Sequence, residues 1–253
     1  MAVHACVNIG STRYPQGGWW GFQPLSHAAA CYNYTVIKPT PTLFWHAAPL
    51  HYVPSILAAG CLYSQDELRA LKLPIRPRQT AEKRDRKLRL SRFVHLSFAP
   101  QTPLLADKLM KGYPHALLAF DAALAGSPEA AFIKYNAKAW RHREDFAPIY
   151  DSEAKTSLVE AWRQGRYPSA ELLVETSLPL RPHGMALHLA SDEEAAWLCG
   201  LMEALGLTVP LPVTVSAGVF PPCEALDLLA HEHYAEECRA AGRLLPPPDL
   251  PVD

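Results

Sequence analysis

The chain has 253 residues, of which 49% are hydrophobic and 19% are charged, and its formal net charge is −1 at pH 7. This composition is typical of a globular protein and excludes wholesale disorder. The near-neutral charge also excludes recognition of nucleic acid through overall charge, so a polyanion site would depend on a local cluster of cations.

The sequence contains no apolar run of the ~20 residues that a bilayer crossing needs, and its first residues do not have the pattern of a secretion signal. The six cysteines include no CxxC pair, so the spacing that is typical of zinc sites is missing. We therefore predict a cytoplasmic protein with reduced cysteines, no metal site and no membrane partner.

Three regions follow one another along the chain. Residues 1–42 show no sustained hydrophobic period, and we predict an N-terminal extension of unknown role. Residues 43–220 carry the organised pattern of a folded domain. Residues 221–253 are predicted to form a helix at about 223–242 and a proline-rich tail.

The organised region mixes short strands with short helices. Val53, Ile56 and Leu57 share one face of the first helix, which Gly60 is expected to end. The other helices are predicted at 105–110, 152–164 and 192–205. Strands are predicted at 42–46, 93–98, 116–120, 131–135, 171–175, 185–189 and 211–219. Because the elements do not alternate strictly as βαβ units, the pattern predicts an α+β fold.

Residues 69–92 form a basic segment with ten Lys or Arg residues and two acidic residues. Pro74 and Pro77 break its first half, so we predict a loop followed by a short helix. A charge run is usually a solvated surface. An excess this one-sided in a near-neutral protein favours an anion-binding face instead, for phosphodiesters or for a dinucleotide pyrophosphate.

Familiar catalytic motifs are missing from the sequence. It contains no GxGxxG and no GxxxxGK[ST], which removes the common Rossmann and P-loop routes to a nucleotide. It also contains no GxSxG and no HExxH. Any chemistry must therefore come from a less regular set of residues.

Three segments together resemble the DarT family of DNA ADP-ribosyltransferases. Residues 44–60 read FWHAAPLHYVPSILAAG and are similar to the strand histidine and "sIL..G" that open many NAD-binding ADP-ribosyltransferase folds. Residues 93–105 read FVHLSFAPQTPLL and resemble the family's aromatic strand with its "F.PrsPML" ending. Residues 170–180 read AELLVETSLPL and resemble the "AEfLV…iPl" strand that bears the family's catalytic glutamate.

Weaker similarities and two departures complete the comparison, which spans about 43–220. Residues 135–137 and Trp162 stand where the family has "GNA" and a tryptophan, and residues 212–220 resemble its closing strand. Ala48 replaces the family's usual threonine, and Gln101 replaces the arginine of "PRSPML".

The resemblance implies an ADP-ribosyltransferase-like fold with central split antiparallel β-sheets and flanking helices. It implies NAD as the co-substrate and single-stranded DNA as the acceptor, with ADP-ribose attached to a nucleobase. It also implies a toxin whose adducts are removed by a macrodomain antitoxin.

The resemblance assigns roles to individual residues as well. Glu171, which opens its strand after a loop, is the implied catalytic carboxylate, because a carboxylate can stabilise an oxocarbenium-like ribose or deprotonate the incoming base. Glu175 lies on the same strand face and is expected to face solvent. Arg86 or Arg92, which the sequence does not separate, would act with Glu171 by neutralising the NAD phosphates.

The expected NAD contacts are His46, Ser55, Gly60, Arg86 and His95, of which His95 fits a core position equally well. The expected DNA contacts are Trp140, Arg141, His142 and Arg143.

Two other functions fit parts of the sequence. RNA 2′-phosphotransferases of the KptA/Tpt type share the NAD-binding fold and an "R.VHLS" strand, which residues 92–97 match. Those enzymes use histidine and arginines without a catalytic glutamate, so Glu171 disfavours this reading. A non-catalytic module with the same fold is the second alternative, and Ala48 is the feature that favours it.

Overall fold

A computed structural model describes residues 40–72, 82–136, 147–222 and 226–248, with the backbone alone at 82–84. All of these residues belong to one compact unit, Thr35–Asp253. Most of the predicted N-terminal extension and all four predicted DNA contacts lie outside the described residues.

The strands of the described residues form two sheets. They are β1 (Leu43–Pro49), β2 (Cys61–Tyr63), β3 (Phe93–Ser97), β4 (His115–Asp121), β5 (Ala130–Ile133), β6 (Glu171–Glu175), β7 (Ser177–Pro179), β8 (Gly184–Leu189) and β9 (Val213–Val215). The large sheet has the order β5-β6-β3-β1-β4-β8-β9, and β2 pairs with β7 in a separate small sheet. Neighbouring strands are antiparallel except β8 and β9, which are parallel.

The helices are α1 (Val53–Ala59), α2 (Gln65–Ala70), α3 (Glu82–Leu88), α4 (Pro103–Met110), α5 (Ser152–Arg163), α6 (Leu180–His183), α7 (Asp192–Ala204) and α8 (Leu229–Ala241). Side-chain oxygens accept hydrogen bonds from first-turn N–H groups at the starts of α2, α4, α5 and α7; the capping residues are Ser64, Thr102, Asp151 and Ser191. Gly60 ends α1 with a left-handed φ of 65°, as its position in the sequence predicts. No described helix combines the length and the apolar character required to cross a bilayer.

Helices cover both faces of the large sheet. Neighbouring residues of a strand point to opposite faces, and Leu117 and Leu118 of β4 accordingly lie in different hydrophobic clusters. Leu117 packs with Leu105 and Leu109 of α4. Leu118 lies in the main hydrophobic cluster together with Trp162 of α5. Trp162 is on the face of α5 that the sequence predicts to be buried.

The large sheet is split between β1 and β3. β1 pairs with β4 over its full length, Leu43–Pro49, whereas β1 and β3 share one registered pair, Trp45 and Ser97. Side chains supply hydrogen bonds where the ladder opens: the Ser97 hydroxyl lies 3.1 Å from the Trp45 carbonyl, and His46 Nδ1 lies 3.0 Å from the His95 carbonyl. The predicted α+β fold with split antiparallel sheets is confirmed, with β9 as a parallel addition.

Two predicted elements differ from the structure by more than three residues at one end. The strand expected at 211–219 is reduced to Val213–Val215, followed by a 3-10 turn. The Gln101 side-chain amide donates to the carbonyls of Gly218 and Phe220, each at 3.1 Å, and these bonds anchor the 3-10 segment away from the sheet. The helix expected at about 223–242 is observed as Leu229–Ala241.

Candidate active site

A cleft of about 280 Å³ lies at the split in the large sheet. β1 contributes His46, β3 contributes His95, and the loop before β6 leads to Glu171. Because β1 and β3 share one registered pair, the two strands separate beside these side chains and leave room for the cleft. The fold therefore brings together three polar side chains that are far apart in the sequence.

Glu171 is held by a short contact to His95. The Glu171 Oε2 atom lies 2.7 Å from His95 Nδ1, and their side chains are 15% and 26% exposed. Backbone register explains the proximity, since β3 and β6 pair with Ser97 opposite Glu171 and His95 opposite Leu173. A mostly buried carboxylate at the edge of a cleft is well placed to act on a bound substrate.

The pKa values of His46 and His95 are shifted in opposite directions. Burial lowers the pKa of His46, so its ring is neutral at pH 7 and donates from Nδ1 to the His95 carbonyl. Burial also opposes ionisation of His95, but the hydrogen bond and negative charge of Glu171, with the charge of Asp85, outweigh it and raise the pKa of His95 to about 9. At neutral pH the site thus holds a carboxylate paired with an imidazolium, beside a neutral imidazole.

Other polar residues of the cleft were not singled out by the sequence. Lys108 of α4 is 9% exposed, Asp85 of α3 is 4% exposed, and both line the cleft. His115, at the start of β4, also lines it. The sequence spacing of these three residues does not distinguish them from surface or core residues. Asp85 and Lys108 point inward only because α3 and α4 pack against the sheet.

The predicted NAD contacts divide into two groups. His46 and His95 line the cleft with Glu171, whereas Ser55 and Gly60 are not among its described lining residues. Arg86 is exposed, and neither it nor Arg92 is among those lining residues.

Arg92 contacts Glu175 and Phe93 at the surface. Its guanidinium lies 3.6 Å from the Glu175 carboxylate and 4.8 Å from the centre of the Phe93 ring. The side chains of Arg92 and Glu175 are 50% and 43% exposed, so this ion pair is largely solvated.

Metal ligands are not grouped in the described ranges. Among those residues, no set of three or more His, Cys, Asp or Glu side chains is arranged to hold a metal ion. Cys61, Cys199 and Cys238 are free thiols.

Comparison with solved structures identifies the fold. The structure of Thermosipho africanus DarTG in complex with ADP-ribose matches with a TM-score of 0.53 and 17% identity, covering 70% of this chain and 50% of that one. Thermus sp. 2.9 DarT in complex with carba-NAD+ matches with a TM-score of 0.51 and 15% identity, covering 73% of this chain and 100% of that one. The chain has the fold of the DarT proteins.

Other comparisons complete these findings. Thermus sp. 2.9 DarT in complex with ADP-ribosylated ssDNA matches with a TM-score of 0.48 and 17% identity, covering 73% of this chain and 98% of that one. The chain spans half the length of the Thermosipho DarTG chain. No protein-family model and no curated protein sequence matches it.

Proposed function

We propose that this protein transfers ADP-ribose from NAD to a nucleobase in single-stranded DNA. The observation that carries the proposal is Glu171, a mostly buried carboxylate at the split of a DarT-type sheet, in a cleft that it shares with His46 and His95. The two solved structures that establish the fold contain ADP-ribose and carba-NAD+. Their ligands support NAD as the substrate of this cleft.

The chemistry requires stabilisation of positive charge on a sugar. The bond between nicotinamide and ribose breaks, nicotinamide leaves with the bonding electron pair, and a nucleophilic atom of the base supplies the pair for the new bond. Glu171 stabilises the oxocarbenium-like ribose and accepts the proton that the base loses. Its buried position strengthens both effects, since charges interact more strongly where water is excluded.

His46 is proposed to contact the nicotinamide-ribose end of NAD. Its Nδ1 donates to the His95 carbonyl, which leaves Nε2 of the neutral ring as a hydrogen-bond acceptor for a ribose hydroxyl. Ser55 and Gly60 remain predicted NAD contacts, and Arg86 and Arg92 remain predicted phosphate contacts.

The acceptor assignment rests on the resemblance of three sequence segments to the DarT family. An enzyme that modifies a base in a single strand does not need to open a duplex. Trp140, Arg141, His142 and Arg143 remain the predicted DNA contacts; they lie outside the described residues. The proposal includes a toxin role, with a macrodomain antitoxin that removes the adduct.

Intact mass spectrometry of a mixed-sequence single-stranded oligonucleotide, incubated with NAD and the purified protein, tests the proposal. We expect a mass gain of one ADP-ribose, which Glu171→Gln abolishes. Glu175→Gln is the matched control, because Glu175 lies four residues away on the same strand face and pairs with Arg92 at the surface. A 2′-phosphorylated RNA in a parallel reaction tests phosphotransfer. Its dephosphorylation without a DNA adduct would assign the cleft to an RNA 2′-phosphotransferase.

Expression in a host without an antitoxin tests the biological role. Adducts on template bases block replication, so we expect growth arrest from the wild type and normal growth from Glu171→Gln. Equal arrest by both proteins at equal expression would contradict the toxin role.

A further inference from the structure

Both ring nitrogens of His95 face hydrogen-bond acceptors. Nε2 lies 3.1 Å from the Leu90 carbonyl, and Nδ1 lies 2.7 Å from the Glu171 carboxylate. A carbonyl oxygen only accepts, so Nε2 carries a proton, and Nδ1 needs a second proton to bond the carboxylate. With Glu171 as the carboxylate of the proposed reaction, these two contacts therefore give a ring with two N–H donors.

The ring of His95 is anchored to the core on the side away from Glu171. Leu90 is fully buried, and its carbonyl also accepts from the Phe93 N–H at 3.0 Å. The carbonyl of His95 itself accepts from His46 Nδ1. His95 is thus fixed through its ring and its backbone, and it transmits that rigidity to the Glu171 side chain.

We propose that His95 is a positioning residue that fixes the Glu171 carboxylate through Oε2 and so directs Oε1 to the substrate. This inference rests on the proposed function, in which Glu171 is the catalytic carboxylate. A glutamate side chain has three rotatable bonds, and a carboxylate without a fixed partner samples orientations that do not face the ribose.

The proposed role is orientation and not added charge. An imidazolium beside the carboxylate weakens the field that Glu171 exerts on a positive ribose, so charge alone would make His95 unfavourable for catalysis. A neutral donor at the position of Nδ1 should therefore replace the histidine, whereas a donor at the position of Nε2 should not.

Two substitutions of His95 separate these possibilities. The amide nitrogen of asparagine is the same number of bonds from Cα as Nδ1, and that of glutamine is the same number as Nε2. His95→Gln can reach Leu90 but loses Glu171, and we expect its kcat to fall by about 100-fold, the effect of a misplaced catalytic group, with the KM for NAD unchanged. His95→Asn keeps the donor to Glu171 and should recover most of kcat.

The pH profile supplies a readout that a merely structural role would not change. The charged or titratable groups that act on His95 are Glu171 of β6, Asp85 of α3 and His46 of β1. As pH rises through about 9, His95 loses a proton. Because Leu90 retains the proton on Nε2, the Nδ1 lone pair then faces the carboxylate and the contact breaks. Wild-type kcat should fall above that pH, and His95→Asn should lack this decline.

Nuclear magnetic resonance of the histidine rings tests the pair independently of activity. The ring signal of His95 is assigned as the one that disappears in His95→Asn. It should remain in the control variant His233→Gln, which changes an exposed histidine. We expect it to titrate near pH 9 in the wild type and at lower pH in Glu171→Gln. Titration near 6.5 in the wild type would refute the pair.

The kinetic outcomes decide the role. Suppose magnetic resonance shows that His95 and Glu171 are paired in the wild type, but His95→Gln has the same kcat as the wild type. That result overturns the proposal that His95 positions Glu171 for catalysis. Absence of any DNA adduct from the wild type contradicts the proposed function, and the catalytic role of His95 falls with it. The ring titration then still decides whether His95 and Glu171 are paired, so the two failures are distinguishable.

Discussion

The buried histidines His51, His115 and His231 are 3%, 5% and 4% exposed, and the rings of His51 and His231 lie 5.6 Å apart. Burial, together with the charges of the other two, lowers the pKa of His51 to about 3. Burial lowers the pKa of His115 and of His231 to about 4. Within the described part of the chain, His51 Nε2 and both nitrogens of His231 have no hydrogen-bond partner, so no hydrogen bond there stabilises a charged ring.

These shifts determine how stability depends on pH. Below about pH 6.5 the unfolded chain takes up a proton at each of the three histidines, whereas the folded protein does not until about pH 4 or lower. Each group then lowers the free energy of unfolding by about 1.4 kcal/mol per pH unit, and the three together by up to about 4 kcal/mol per pH unit. Between pH 6.5 and 4 the three histidines together remove up to about 10 kcal/mol, which is comparable to the roughly 5–15 kcal/mol stability of a folded domain, so a steep loss of stability is expected in this range.

His95 has the opposite effect at higher pH. Its pKa is raised to about 9, so the stability that its pairing contributes is fully present below pH 6.5 and is lost as pH rises to about 9. From these histidines we expect the free energy of unfolding to be greatest near pH 6.5.

Urea denaturation at a series of pH values measures both effects. We expect His231→Leu to reduce the slope between pH 6.5 and 4 by about 1.4 kcal/mol per pH unit, since it removes one titrating group. His233→Leu is the control on the same helix, because the His233 side chain is 73% exposed. Identical slopes for these two variants would refute the assignment of the acid sensitivity to buried histidines.

Three further predictions concern the cleft and the core. Lys108→Met should raise the KM for NAD about tenfold in steady-state kinetics, through the loss of one charged contact. Lys111→Met, at an exposed position just after α4, should leave that KM unchanged. Arg86→Ala and Arg92→Ala should each change the KM for NAD only if that arginine reaches the phosphates; unchanged values in both would remove the basic segment's predicted role at those two positions. Trp162→Ala should lower the free energy of unfolding by about 3–5 kcal/mol, because Trp162 is 4% exposed in the main core, and a loss below about 1 kcal/mol by urea denaturation would contradict that placement.

Periodicity and local signals in the sequence determined most of the elements. The helix face of Leu158 and Trp162, the glycine stop at Gly60 and the strand at Glu171–Glu175 all appear in the structure. These features depend on neighbours within a few residues, so a single sequence contains the information. β2 and β7 were not predicted, because strands of three residues are too short to show a period.

Motif order in the sequence also indicated the DarT resemblance and selected His46, His95 and Glu171, yet it left the role of His95 open between substrate contact and core. Tertiary structure decided where its ring lies, because the Glu171 contact depends on the register of β3 against β6, and the Leu90 contact depends on the turn before β3. The inward positions of Lys108 and Asp85, and the split between β1 and β3, were likewise decided by long-range packing. The spacing of residues along the chain does not show which residues are in contact when they are 76 positions apart, as His95 and Glu171 are. Contacts of this kind form the site.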